Sequence, residues 1–420
     1  MRRDPQLLDS AIAFCYVAFV VSGVYKSAWY FSWIPIDLTL ILGAVTVTLT
    51  GALVATGRLR LTPPAVLISV LFGVFASYAV LSGLWTPSTD YYWSKSFRLV
   101  TVTGLTLGVG AVVIGTSLRR LQYAGFATVG LAVITAIETL YRYEQAVGDV
   151  ELYPFGTNYL ITGRLIGIGL LLTIGYLVLR RDDRFLSVSA IACTLVMSYA
   201  LLVSGARGPM VTVAGSVGLL LLLGIKYGTL PNGRAAIAGY SVAAGLSALG
   251  LVTLAQQLRG IRRILALADG PGRSLGLRFE FWAGTIDALH PGMLLFGEGL
   301  GSWPVLVYHE ADGQYYPHNL VLEVLFELGL VGIVLIGALL GYAVVTLFRD
   351  WRAHEESTHL FLVILFIYML ANVMVTGDLN ENRYLFAIVG AMAYSVSARR
   401  YTVREILPIN TNSESPPTNT

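Results

Sequence analysis

The sequence predicts an all-α integral membrane protein with about twelve transmembrane helices, and three observations predict it. Hydrophobic residues make up 55% of the 420 positions and charged residues only 13%, about half the usual charged share. Apolar stretches of roughly 17–25 residues, the length that crosses a bilayer, recur from one end of the chain to the other, far more than one soluble core can bury. Cys15 and Cys193 both sit inside such stretches, which leaves neither a disulfide framework nor a cysteine metal site. An ordinary cytosolic enzyme, a disordered scaffold and a nucleic-acid binder are excluded. The net charge of +3 is too small and too dispersed to imply a polyanion partner.

Spans are expected near 7–25, 34–56, 64–84, 98–118, 121–140, 160–179, 185–203, 209–226, 235–255, 318–348, 359–376 and 384–398. The first follows Arg2 and Arg3 as a secretory signal would, but no small-residue cleavage site follows and eleven more spans do, so it is a retained helix. Residues 1–255 thus carry spans one to nine, 256–317 form a large outer loop, 318–404 carry the last three spans, and 405–420 form a polar, proline-bearing tail with the composition of disorder. Within the loop, Leu258, Ile261 and Leu265 fall on one helical face and Arg259, Arg262 and Arg263 towards the other, the pattern of a basic interfacial helix. A second helical stretch, Leu275 to Leu289, is followed by the glycine-rich turn Phe296-Gly297-Glu298-Gly299-Leu300-Gly301-Ser302-Trp303. No strand precedes the turn, which argues against a dinucleotide fingerprint, and no GxxxxGK[ST] loop exists to hold a nucleotide.

Assigning loops alternately to the two sides puts 16 of the 28 cations on one side and twelve on the other, five of them in the long loop. Long loops weigh little in the positive-inside rule, so both termini are expected in the cytoplasm and the long loop outside. Metal use is argued against, because no Asp-x-Asp pair occurs and Asp149-Val150-Glu151 reads as a solvated acid pair. His354 and His359 fall on the cytoplasmic side and read as solvated loop residues.

The candidate functional residues lie on the outer side. Arg207, in Ser204-Gly205-Ala206-Arg207-Gly208-Pro209, belongs to a connection so short that it lies at or below the membrane surface, where an unpaired cation is costly. Arg278 stands on the second loop helix beside Trp282. Each reads either as a snorkelling or paired side chain, with Glu280 or Asp287 as partners, or as one arm of an anion clamp offering bidentate donors to phosphate. Lys95 and Arg98 lie in an aromatic-rich outer loop and Arg142 in the next. His318, in Tyr315-Tyr316-Pro317-His318-Asn319, reads as an interfacial histidine or as a general base kept neutral by the positive end of the helix that follows. Glu323 and Glu327, one turn apart beyond it, either orient a neighbouring cation or pair with it.

Three local patterns over residues 200–335 resemble the O-antigen ligase and polymerase superfamily of bacterial polysaccharide membrane proteins. The segment Ser204-Gly205-Ala206-Arg207-Gly208-Pro209 is similar to its Ser-x-x-Arg-Gly element, and Arg278-Phe279-Glu280-Phe281-Trp282 followed by Phe296-Gly297-Glu298-Gly299 to its Arg-x-x-x-Trp helix and Phe-Gly-x-Gly turn. His318-Asn319, nine residues, Gly329, two residues and Gly332 resemble the ligase signature. The resemblance implies a membrane-embedded, GT-C-like glycosyltransferase of the bacterial inner membrane with a periplasmic active site. Its donor would be a glycan on undecaprenyl diphosphate, and its acceptor lipid A-core for a ligase or a second lipid-linked unit for a polymerase. It further implies that Arg207 and Arg278, with Lys95, Arg98 and Arg142 as additional candidates, stabilise the departing diphosphate. His318 would take the acceptor's proton during an inverting, metal-free and cofactor-free transfer. A polysaccharide transporter or assembly subunit shares the spans and aromatics, but a transporter calls for intramembrane carboxylates and broken helices.

Overall fold

The computed structural model describes residues 5–146, 151–179, 183–226, 272–309, 315–354, 356–398 and 401–402. The expected ninth span at 235–255, the basic helix at 256–267, Asp149-Val150 and the tail beyond 404 lie outside the described residues.

Among those residues the chain is almost wholly helical. The long helices are α1 (Pro5–Tyr25), α2 (Leu38–Ala55), α3 (Pro63–Leu81), α4 (Asp90–Arg98) continuing through two π-helical segments and α5 (Gly104–Val109), and α6 (Leu118–Gln145). They are followed by α7 (Tyr159–Leu179), α8 (Arg184–Ser204) and α9 (Arg207–Lys226). After the undescribed stretch come α10 (Gly272–Asp287), the single turn α11 (Trp303–Leu306), α12 (Leu320–His354), α13 (Ser357–Val373) and α14 (Arg383–Ala391). Nine helical stretches among the described residues are long and apolar enough to cross a membrane, and α13 is a shorter apolar one. The chain is therefore an all-α integral membrane protein.

Polar caps mark where the apolar runs begin. The Asp37 carboxylate accepts from Thr39 N at 2.7 Å to start α2, and Asp183 accepts from Phe185 N and Leu186 N to start α8. Thr62 caps α3, whose first turn carries proline, where the missing N–H costs nothing. Helix α7 is the centre of the bundle, with 72% of its span buried, and it packs against α6, α8, α9 and α13. Helix α1 lies on α2 and α6, and α3 lies along α12.

Three expectations are corrected. The fourth span starts at Asp90 rather than near 98, so Lys95 and Arg98 belong to a helix and not to an outer loop. The helix runs through Lys95 because Glu323 and Glu327 of α12 neutralise it at 2.6 and 2.7 Å. The last span is short: α14 ends at Ala391, and Ser395, Val396 N and Ser397 turn instead to the Asp350 carboxylate, a local competition with the helical ladder. His359 is not solvated. It is fully buried, with Nε2 2.8 Å from Asp350 Oδ2, so it seals the same knot. A short antiparallel pair, β1 (Arg60–Leu61) with β2 (Tyr401–Thr402), joins the segment after α2 to residues 401–402.

Helix α12 is broken. Gly329 has φ 63° and ψ −164°, and the gap is filled by residues 294–299. Glu298 N and Gly299 N donate to Phe326 O and Glu327 O, while Leu330 N and Val331 N donate to Leu294 O and Leu295 O, all within 3.1 Å. Buried backbone groups in a membrane protein must be satisfied by protein, and the glycine-rich turn does it. Only glycine fits the contact: a Cβ at Gly329 would lie 2.5 Å from Leu295 O, and one at Gly297 2.4 Å from Glu327 C. Tyr78 and Trp85 fasten the turn to the end of α3 through Phe296 O and Gly297 O.

Candidate functional site

The site gathers where the end of the long loop meets α10, α7, α9 and the segment between α13 and α14. His318 precedes α12, whose first turn is capped by Asn319, accepting from Val321 N and Leu322 N. Its φ is 55°, a left-handed conformation that a side chain adopts only where the surroundings impose it. Those surroundings are specific. Trp282 Nε1 of α10 donates to Pro317 O at 2.8 Å, the His318 ring meets Tyr316 edge-on at 4.4 Å, and Phe281 lies nearly parallel to it at 6.1 Å. Behind them Phe281 packs on the fully buried Trp303, whose indole donates to Thr285 Oγ1 at 2.8 Å. Helix α10 is thus bolted to the histidine loop, and Arg278, one turn before Trp282, is carried with it.

Arg278 and His318 share one electrostatic environment. Burial, then the repulsion of Arg278 and Arg164, against the attraction of Asp378, pushes the His318 pKa down to about 4. The ring is therefore neutral near pH 7, with burial and arginine neighbours as causes. Burial followed by the like charge of Arg207 lowers the pKa of Arg278, opposed by Tyr159 and Tyr316. Arg207, at the first position of α9 two residues after the left-handed Gly205, is thus a cation whose charge acts on Arg278. Neither Glu280 nor Asp287 is among the groups that act on Arg278. Two arginines whose charges act on one another near a half-buried histidine are of the chemistry that binds an anion.

The remaining sequence candidates are placed differently. Lys95 is fully buried and gives its three hydrogen bonds to Glu323 and Glu327, so of the two readings of that acid pair the structure selects pairing. Arg142 bonds Glu138 at 2.8 Å within α6, and its described electrostatic neighbour is Tyr30. Arg98, at the end of α4, acts on Glu381 and Arg383.

Sequence reasoning missed the floor of the site. The segment Gly377-Asp378-Leu379-Asn380-Glu381-Asn382-Arg383 between α13 and α14 is folded into the protein, with Asp378, Leu379, Asn380 and Asn382 buried. Leu379 N donates to Glu323, Asn380 Nδ2 to Lys95 O, and the Arg164 guanidinium to Asn382 Oδ1 at 3.1 Å. Tyr316 OH donates to Glu381 Oε2 at 3.0 Å, which ties the floor to the histidine loop. Burial and then the charge of Asp378 raise the pKa of Glu381, and burial and then Glu381 raise that of Tyr316. The signal was available: five of these seven residues are charged or amide-bearing, in a chain with only 13% charge. Arg164, 1% exposed inside α7, was visible only as a cation just within a span. His318 Nδ1, Arg164 Nε and Asn382 Nδ2 are buried without a hydrogen-bond partner among the described residues, and Arg164 links them by its bond to Asn382 and its charge acting on His318.

Residues 192–337 match the family described as O-Antigen ligase, a stretch that contains Arg207, Arg278, His318 and the break at Gly329. The chain is also similar to an O-antigen ligase of Pseudomonas aeruginosa, 24% identical over 336 residues, which covers 78% of this chain and 77% of the relative.

Proposed function

We propose that this chain, whose residues 192–337 match the O-antigen ligase family and which is similar to an O-antigen ligase, transfers a glycan from undecaprenyl diphosphate to lipid A-core on the periplasmic face of the inner membrane, with both termini in the cytoplasm. The observation that carries the reading is His318, held at φ 55° by the Trp282-anchored loop within the family-matched stretch, with the charge of Arg278 acting on it and that of Arg207 acting on Arg278.

The acceptor hydroxyl attacks the anomeric carbon from the face opposite the diphosphate. The new glycosidic bond forms as the bond to the diphosphate oxygen breaks, and the electron pair leaves with the diphosphate. Arg207 and Arg278 meet that developing charge with bidentate donors, each charge-assisted bond contributing about 1.5–3 kcal/mol. His318 takes the hydroxyl proton. Free, it is a weak base because burial and then the charge of Arg278 disfavour its protonated form; a bound diphosphate cancels part of the Arg278 repulsion, so the base strengthens when the donor is in place. Lys95 supports the floor from beneath, through Glu323 and Leu379 N, without touching substrate.

The test is a reconstituted transfer. Purified protein in nanodiscs with EDTA present receives undecaprenyl-diphosphate glycan and either lipid A-core or a second lipid-linked glycan. Product on lipid A-core alone supports the proposal; product on the lipid-linked unit alone replaces ligase by polymerase; no product with either sinks both. His318→Ala should lower kcat by roughly 10²–10⁴-fold while the protein stays folded.

A further inference from the structure

Beneath the floor of the site lies a space that the transfer does not use. A cavity of about 570 Å³ is walled by α1, α6, α7, α8, α13 and α14, mostly by apolar side chains. These helices form a ring of neighbours: α6 packs on α8, α8 on α7, α7 on α13, α13 on α14, α14 on α1 and α1 on α6. One end of the cavity is set by Val21, Leu165 and Tyr384. Each is next in sequence to a polar residue, Ser22, Arg164 or Arg383, and of these Arg383 bonds Ser22 while Arg164 bonds Asn382 of the floor. The other end is lined by Gln122 near the start of α6, Asp183 at the cap of α8 and Thr358 in the first turn of α13. From Leu165 to Tyr176 of α7 the lining runs ~16 Å at the helical rise per residue. That is about half of the roughly 30 Å hydrocarbon core of a bilayer, the depth of one leaflet.

The wall suits a hydrocarbon chain. Its hydroxyls at Tyr16, Thr128 and Thr173 are spent on Thr106 O, Ala124 O and Leu170 O, so an occupant finds dispersion contacts and few hydrogen bonds. Gly125 opens onto the space, with nothing within 4 Å of the place a Cβ would take. The end away from the site is cationic. Arg119, two residues before the lining Leu121, and Arg184, next to the lining Asp183, are both exposed. The acids there are engaged: Asp183 accepts from Phe185 N and Leu186 N, and Glu356 from Thr358 and Tyr394. An apolar shaft between spans with arginines at its mouth matches a lipid that carries an apolar chain and an anionic headgroup.

We propose that this shaft holds one acyl chain of an anionic glycerophospholipid, whose phosphate lies on Arg119 and Arg184. The chain end bears on Val21, Leu165 and Tyr384 and so braces the floor of the site from below. That the lipid comes from the cytoplasmic leaflet rests on the orientation proposed above; the binding itself does not depend on the transfer.

Delipidated protein in detergent, given dioleoylphosphatidylglycerol or dioleoylphosphatidylcholine and read by native mass spectrometry, tests it. One phosphatidylglycerol should be retained, and more tightly than phosphatidylcholine. Arg119→Gln and Arg184→Gln should each weaken phosphatidylglycerol binding roughly fivefold, and together they should level the two lipids. Gly125→Leu combined with Ala190→Leu fills the shaft, and should abolish retention of either lipid while unfolding no earlier than the delipidated parent. Retention by the filled variant as by the parent overturns the site, and equal affinity of the parent for both lipids overturns the anionic headgroup. Tighter retention of undecaprenyl phosphate than of phosphatidylglycerol would assign the shaft to a polyprenyl chain and overturns the proposal as well. If the filled variant does not fold, the unmodified protein decides. Phosphatidylglycerol with a diazirine at the end of one acyl chain should cross-link to residues 121–129 and 165–176 on irradiation. Cross-links confined to outward-facing positions such as Val188 and Leu195, which are 67% and 65% exposed, would place the lipid outside the bundle and overturn the site.

Discussion

His318 shows how a single residue acquires a role from its surroundings. Its neutral form is stabilised by burial and by Arg278, so the free protein holds the ring as an unprotonated base down to about pH 4. For a group whose folded pKa is depressed, the base form is complete above that value and is lost only as pH falls through it. The acid limb of kcat/KM, which reports the free enzyme, should therefore lie well below the 6.5 of an ordinary histidine. Arg278→Gln removes a repelling cation, so the limb should move upward while the donor KM rises by roughly tenfold to a hundredfold for the lost charge-assisted bonds. A pH profile with identical limbs in both proteins would show that Arg278 does not set the basicity of His318. The sequence made His318, Arg207 and Arg278 legible because each carries a rare polar group into an apolar context. It could not show the cause of the depressed pKa, since burial and the approach of Arg278 are properties of packing.

At the scale of elements, the broken helix and the strut beneath it hold the site in place. The glycines of the turn and of the His318-to-Gly332 signature were legible as a pattern, and the structure supplies their reason: residues 294–299 thread the gap in α12. Gly329→Ala should lower the unfolding temperature and cost about 1–3 kcal/mol for the positive φ alone, with more from the 2.5 Å approach to Leu295 O. A variant as stable as the parent would mean that the gap closes without glycine. The strut is Lys95 with Glu323 and Glu327, all about 1% exposed. Lys95→Met leaves two buried carboxylates uncompensated, a loss of about 3–5 kcal/mol. Adding Glu323→Gln and Glu327→Gln should recover much of it in thermal unfolding. No recovery would argue that the cation has a role besides neutralising the pair. The strut was half legible: the one-turn spacing of the glutamates suggested a shared cation, but Lys95 is 228 positions away from Glu323.

For the whole molecule, apolar spans and a charge-biased loop pattern set the topology to be tested. In a background of Cys15→Ala and Cys193→Ala, a membrane-impermeant maleimide should label His309→Cys in intact spheroplasts and Arg58→Cys only after lysis. Labelling in the opposite order would invert the protein and place the site in the cytoplasm. The chain alone determined that this is a multi-span helical membrane protein, and it singled out Arg207, Arg278 and His318 as the candidates for its polar site. Hydropathy and motif spacing are local properties, and a single charged residue in lipid-length sequence is conspicuous. Only the tertiary structure decided that Arg164 and the 377–383 segment form the floor of that site, that Lys95 is a strut, and that His359 is sealed against Asp350. Those contacts join residues as far apart as Arg164 and Asn382, 218 positions along the chain. Whether a buried polar group meets a partner depends on which helices pack together, and no periodicity along the sequence records that.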